Sequence, residues 1–164
     1  MEQFKIKLHK EKFNFSSAHF ITYNGHCENL HGHNYHVNAE LTGIIGSDFL
    51  VLDFTVVKPL ITEICNSLDH RVLLALKNPH LKYDVSDEEI EVKFGKRRYI
   101  FPLEDVIQLP IENTTAELLA RHISNKLIHV LEDKQLIRGQ NIKSIQIEVE
   151  ESSGQRAIYL SEQF

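Results

Sequence analysis

"CENLHGHNYHVNAELT", residues 27–42, decides the fold. From His31 onward the stretch alternates. His31, His33, Tyr35, Val37, Ala39 and Leu41 share one parity, and Gly32, Asn34, His36, Asn38, Glu40 and Thr42 share the other. Successive side chains of a strand point to opposite faces, so this is a half-buried strand whose inner face begins with two imidazoles.

The same period runs upstream. Phe4, Ile6 and Leu8 alternate with Lys5 and Lys7, and Phe13, Phe15, Ser17 and His19 continue on one parity. Downstream, Gly43 and Gly46 mark a turn, and Phe49–Leu52 reads as a short strand. Val57, Leu60, Ile61, Ile64, Cys65 and Leu68 recur at helical spacing, with Pro59 placed where a first turn tolerates it. A second helix opens at Asn113-Thr114-Thr115. Thr114 and Glu117 fit a capping box, and Leu118, Leu119, Ile123, Leu127, Val130 and Leu131 form the apolar stripe. Ile145, Ile147, Val149 and Glu151 share the face of a later strand, and Ala157–Leu160 follows as another. Between the helices, residues 76–110 are the hardest to place, but "EIEVKFGKRRYIF" reads as a hairpin turning near Gly95-Lys96. These elements predict one α+β domain over residues 1–164, an antiparallel sheet with two helices on one face.

Composition narrows the function. The chain has 164 residues, 42% apolar and 25% charged, the balance of a soluble globular domain. A net charge of −5 argues against nucleic acid, whose phosphates need excess Lys and Arg. No apolar run approaches the roughly 20 residues of a membrane helix. The start shows no signal-peptide core, so a cytoplasmic location is expected. Cys27 and Cys65 read as free thiols; Cys65 has core-helix spacing, which disfavours a redox pair.

Four of the ten histidines lie within residues 26–36. His31 and His33 project from one side of their strand, and His19 shares the parity of Phe13 and Phe15. If the two strands pair, three imidazoles converge and leave a coordination position open, the arrangement of a catalytic zinc site. Without that pairing each is an ordinary satisfied histidine. Cys27 is either an inert thiol or a thiolate base. Asp69-His70 is either an oriented proton-transfer pair or a helix-end histidine. Glu151 on an apolar parity either binds a ligand or reaches solvent where its strand frays.

The motifs "FSSAHF" (15–20), "CENLHGHNY" (27–35), "LVLDFTVVKP" (50–59), "LDHRVLL" (68–74), "NTTAELLA" (113–120) and "VEESSGQRAIY" (149–159) occur in the order of a known family. Through them the chain resembles the 6-pyruvoyl-tetrahydropterin synthase / 6-carboxytetrahydropterin synthase family. The resemblance implies a tunnelling fold (T-fold), in which sheets join across subunits into a barrel with helices outside. It also implies homo-oligomers, typically homohexamers made of two trimers, with active sites between subunits. By resemblance His19, His31 and His33 are Zn2+ ligands. Cys27 is the base, with Asp69 and His70 moving a proton, and Glu151, Thr114 and Thr115 bind the pterin. The substrate it implies is 7,8-dihydroneopterin triphosphate. The C-x3-H-G-H spacing is similar to the bacterial carboxy-forming members, which release triphosphate and acetaldehyde and feed 7-deazapurine (queuosine) synthesis. The pyruvoyl-forming branch is the alternative, as is a hydroxymethylpterin-forming relative that uses a glutamate near the Cys27 position, where Glu28 stands. A non-catalytic pterin or zinc-binding module is a further alternative, disfavoured by the presence of Cys27, Asp69 and His70. An extra segment at about residues 76–109 departs from compact members, and its Lys96-Arg97-Arg98 run reads as a triphosphate contact or a solvated turn.

Overall fold

The computed structural model describes residues 2–137 and 141–162. In chain order it contains β1 (Phe4–His19), β2 (Thr22–Tyr23), β3 (His26–Cys27), β4 (His31–Gly43), α1 (Phe54–Leu68), β5 (Arg71–Ala75), β6 (Lys82–Val85), β7 (Glu89–Phe94), β8 (Arg97–Pro102), β9 (Val106–Leu109), α2 (Ala116–Asp133), β10 (Ile142–Ser152) and β11 (Gln155–Ser161). Six strands form the main sheet in the order β11-β10-β4-β1-β5-β9. Both helices pack on one face of it, α1 against β1 and α2 against β10 and β11, and they touch each other.

The inner parity of β4 is the one the sequence shows: Tyr35, Val37, Ala39 and Leu41 are buried. They meet Val57, Ile61, Cys65 and Leu68 of α1 and Leu119, Ile123 and Leu127 of α2 in one core. The two alternating stretches of residues 4–8 and 13–19 are a single strand, although Leu8 and Phe13 differ in parity. A bulge reconciles them. The register jumps between His9↔Asn38 and Asn14↔His36, so β1 gains an odd number of residues and its apolar face returns to the core. Phe15 then stacks on its partner Tyr35, with ring centroids 4.7 Å apart.

Four local expectations are corrected. The main sheet is not wholly antiparallel, because β5 runs parallel to β1 and β9 parallel to β5. Parallel neighbours need a long crossover, and the three-stranded antiparallel sheet β6-β7-β8 lies in the chain that makes it. Residues 49–52 form no strand. Phe49 adopts φ 64° and the amide of Gly46 donates to Leu50 O at 2.9 Å, so the backbone groups are used within a turn. Helix α1 starts at the Asp53 cap, whose carboxylate accepts from the Thr55 amide at 2.7 Å. Pro59 therefore sits inside the helix, beyond its first turn. The capping box of α2 does not form: Thr115 is the cap residue and makes no side-chain cap bond, while Thr114 is buried and bonded elsewhere.

The hairpin β2–β3 turns on Asn24 (φ 47°) and Gly25 (φ 75°), the positive-φ pair that suits a two-residue hairpin. The β6–β8 sheet builds its own small core from Ile90 and Val92 with Phe20 and Leu74, and Cys27, Tyr99 and Phe101 pack against it. No helix among the described residues is long and apolar enough to cross a membrane.

Candidate functional site

Antiparallel pairing of β1 with β4 sets His19 opposite His31 and Ser17 opposite His33. The three imidazoles converge, with ring centroids 4.7 to 5.2 Å apart. Their ligand atoms lie within 4.8 Å of one another, so the triad can hold a metal ion. Two of the rings are oriented by backbone carbonyls. His19 Nδ1 bonds Thr114 O at 2.9 Å, and His31 Nδ1 bonds Asn29 O at 2.8 Å. A carbonyl can only accept, so each Nδ1 carries a proton, and in the neutral ring that leaves the Nε2 lone pair for a metal. Burial holds the His19 imidazole down at about 4; the Thr114 carbonyl opposes the shift, and His31 and His33 reinforce it. His19 is therefore neutral at physiological pH, as a ligand must be.

Beside the triad opens a cleft of about 550 Å³, lined among others by Glu28, Thr115, Glu117 and Glu151. Strand β10 runs through Glu151, at a register irregularity, and the half-buried carboxylate faces the triad. Its Oε1 lies 3.5 Å from His19 Nε2 and 3.4 Å from His33 Nε2, and it accepts from the Tyr35 hydroxyl at 3.4 Å. Burial and this carboxylate push the Tyr35 phenol far up, so it stays a donor. Thr115 lines the cleft. Thr114 lies beneath it, its hydroxyl donating to Phe20 O at 3.1 Å and standing 3.2 Å from His19 Nδ1.

The remaining sequence candidates separate. Glu28 enters the cleft, with Oε2 4.0 Å from His31 Nε2. Cys27 packs against the small core of the β6–β8 sheet. Its thiol is pushed up by burial, an effect the Arg97 guanidinium opposes. Asp69 and His70 form a pair at 2.8 Å. Asp69 Oδ1 accepts from the Ser16 amide at 2.7 Å, and that bond, followed by His70, holds its carboxyl below the usual range. His70, at φ 54°, opens onto a second cleft with Ser16, Asn34, Arg71 and Asp105. Within one chain the pair does not reach the triad's cleft, though His33 borders both. Cys65 is buried in the main core and both cysteines are free.

Sequence reasoning missed Tyr35, and it read Arg97 only as part of a basic run at a triphosphate contact or a solvated turn, not as a partner of residues 27–29. Tyr35 follows His33 on the same parity, which was the available signal. Arg97 shares the inner parity of β8 with Tyr99 and Phe101. The basic run is thus divided: Lys96 is exposed at the turn, Arg98 pairs with Glu91, and Arg97 donates to chain carbonyls.

A family model described as 6-pyruvoyl tetrahydropterin synthase matches residues 7–162. The chain belongs to the 6-pyruvoyl tetrahydropterin synthase family. Within that family it is 38% identical over 146 residues to the putative 6-carboxy-5,6,7,8-tetrahydropterin synthase of Methanocaldococcus jannaschii, covering 88% of each chain. Among solved structures, a 6-pyruvoyl tetrahydropterin synthase of Plasmodium falciparum superposes with a TM-score of 0.93 at 34% identity, over 99% of this chain and 100% of that one. A Plasmodium vivax 6-pyruvoyltetrahydropterin synthase in which a catalytic glutamate is replaced by alanine superposes at 0.92 and 28% identity, over 99% and 100%. The α+β T-fold is therefore shared, and the chain is an enzyme of this family of lyases.

Proposed function

We propose that this protein is a zinc-dependent lyase. It converts 7,8-dihydroneopterin triphosphate and water to 6-carboxy-5,6,7,8-tetrahydropterin, releasing triphosphate and acetaldehyde, the water supplying the atoms added across the carbon–carbon bond that breaks. The observation that carries the reading is the three-histidine triad at the edge of a cleft with Glu151 facing it. Three neutral imidazole nitrogens suit zinc with an open position. When bound there, the ion supplies Lewis-acid polarisation of the substrate's side-chain hydroxyls.

The chain's own groups do the rest. Glu151 accepts two hydrogen bonds from the guanidine-like edge of the pterin, with Tyr35 holding its near oxygen. Thr115 contacts the ring from the lip of α2. Cys27 is the proton-abstracting base in the carboxy-forming reading, its thiolate favoured by Arg97 and disfavoured by burial. Asp69 fixes the tautomer of His70, which returns the proton. Because His70 opens onto a different cleft within one chain, we infer that the pair serves the triad of a neighbouring copy in a homohexamer of two trimers. In this reading the chain works in the cytoplasm as a single domain with an extra β6–β8 segment, on a route to 7-deazapurines.

A second reading has its own support. Glu28, and not Cys27, lines the triad's cleft, and a glutamate is the catalytic residue replaced in the Plasmodium vivax enzyme. With Glu28 as base the product is a hydroxymethylpterin. Mass identification of the products of Cys27→Ala and Glu28→Gln separates the two. The carboxy-forming reading expects Cys27→Ala to lose product and Glu28→Gln to keep the carboxy form. The opposite pattern, with a hydroxymethylpterin from the Cys27→Ala protein, replaces it by the second reading.

A further inference from the structure

The loop that carries Cys27, Glu28 and Asn29 is tied to the chain just ahead of β2 by the Glu28 amide on Ile21 O at 3.0 Å, and on its other side one guanidinium bonds all three residues. Arg97 Nη1 donates to Cys27 O at 2.8 Å and to Glu28 O at 2.6 Å, and Nη2 donates to Asn29 Oδ1 at 3.2 Å. The next link leads into the site, because Asn29 O accepts from His31 Nδ1 at 2.8 Å. The guanidinium therefore stands one residue from the bond that fixes the tautomer of a proposed ligand, and it grips the backbone of the glutamate that enters the cleft.

The source of Arg97 is the β6–β8 sheet, and its placement is over-determined. On the same face of β8, Tyr99 stacks on Phe20 with ring centroids 5.1 Å apart and Phe101 stacks on Tyr99 at 5.9 Å. Phe20 directly follows His19. The sheet thus abuts both strands that supply the triad, by an aromatic stack beside His19 and by a guanidinium fork beside His31. A planar fork suits two carbonyls and an amide oxygen in a way that an ammonium does not. No carboxylate takes part in the three bonds, which go to two backbone carbonyls and one side-chain amide oxygen.

We propose that Arg97 is a positioning residue, and that the β6–β8 sheet serves the site by clamping residues 27–29. The clamp keeps the Glu28 carboxylate in the cleft and His31 Nε2 aimed at the metal. The proposal rests on the metal-centre reading above and extends it to a segment with no assigned role.

The test compares wild type, Arg97→Met and Arg97→Lys, each loaded with Co2+ as a spectroscopic stand-in for zinc. The visible absorption, the Co2+ affinity from chelator competition, and kcat and KM with dihydroneopterin triphosphate are read. Outer-shell partners of metal-bound histidines are typically worth about 10–100-fold. Arg97→Met is expected to weaken Co2+ binding or lower kcat by at least about tenfold, with an altered absorption envelope. KM is expected to change less than about threefold, because no bond of Arg97 reaches the pterin cleft. Arg97→Lys, which keeps the charge and the stem, should restore less than half of the loss. Spectrum, affinity and kcat all unchanged in folded Arg97→Met overturn the proposal. Should Arg97→Met not fold, Arg97→Lys decides: full wild-type spectrum and kcat overturn the fork, and a loss in either supports it. A wild type that shows no Co2+ band overturns the metal-centre reading itself, a result distinct from a band that Arg97→Met leaves untouched.

Discussion

Cys27 and Glu28 are adjacent in sequence yet face different surroundings, one the small core under β8 and the other the triad's cleft. Strand parity brings His19, His31 and His33 to one face once β1 and β4 pair, and the three imidazoles converge. What parity could not give is the direction of side chains in the irregular loop before β4, where the period of two no longer applies. The partners of Arg97 were illegible for a related reason: they lie about 70 positions away in the chain and are carbonyls, which leave no mark in a sequence. Thr114 shows the opposite error, since a convincing capping pattern belongs to a residue used otherwise. Its hydroxyl satisfies Phe20 O and adjoins His19. Thr114→Val is expected to cost about 1–2 kcal/mol by stranding that buried carbonyl, measured by urea unfolding. The same variant should retain most of its metal affinity, because the bond that fixes the His19 tautomer goes to the Thr114 backbone oxygen.

At the scale of elements, the helical stripes and the two long strands were readable because each buries one face for its whole length. The parity change within β1 was not, because the bulge that produces it contributes no distinctive composition. The parallel run of β5 and β9 depends on the β6–β8 crossover, and a pattern of alternation carries no strand direction. Backbone approach offers a sharp test of the sheet. A Cβ added at Gly43 would stand 2.4 Å from Asn141 O and 3.0 Å from Val51 Cγ1. Gly43→Ala is therefore expected to destabilise the fold by about 1–3 kcal/mol, the range for overpacking, seen as a lower thermal midpoint. An unchanged midpoint would mean that β4 and β10 part more easily at this end than their register implies.

For the whole molecule, buried imidazoles tie stability to pH. His122 is buried on α2 at a cleft shared with Lys77, Glu112, Arg121, Lys126 and His129, and burial, aided by Lys126, holds it down at about 4. The unfolded chain binds this proton from about pH 6.5 and the folded chain only near 4, so stability is full above 6.5 and falls as pH drops between those values. The loss reaches on the order of 3 kcal/mol. Unfolding of His122→Gln across that window should show a shallower decline than wild type. Assembly belongs to this scale too: His70 lines a cleft that only His33 of the triad borders, so the proposed sharing of sites between copies predicts that equal mixing of His31→Ala and His70→Ala restores part of the activity each variant loses.

The most direct measurement of the central claim is the pterin product of purified protein incubated with 7,8-dihydroneopterin triphosphate, identified by mass with zinc supplied and with zinc chelated. The account predicts a pterin that has lost triphosphate, formed with zinc and absent after chelation or in His31→Ala. Unconverted substrate in the zinc-replete, reduced sample, or equal turnover after verified zinc removal, would contradict it.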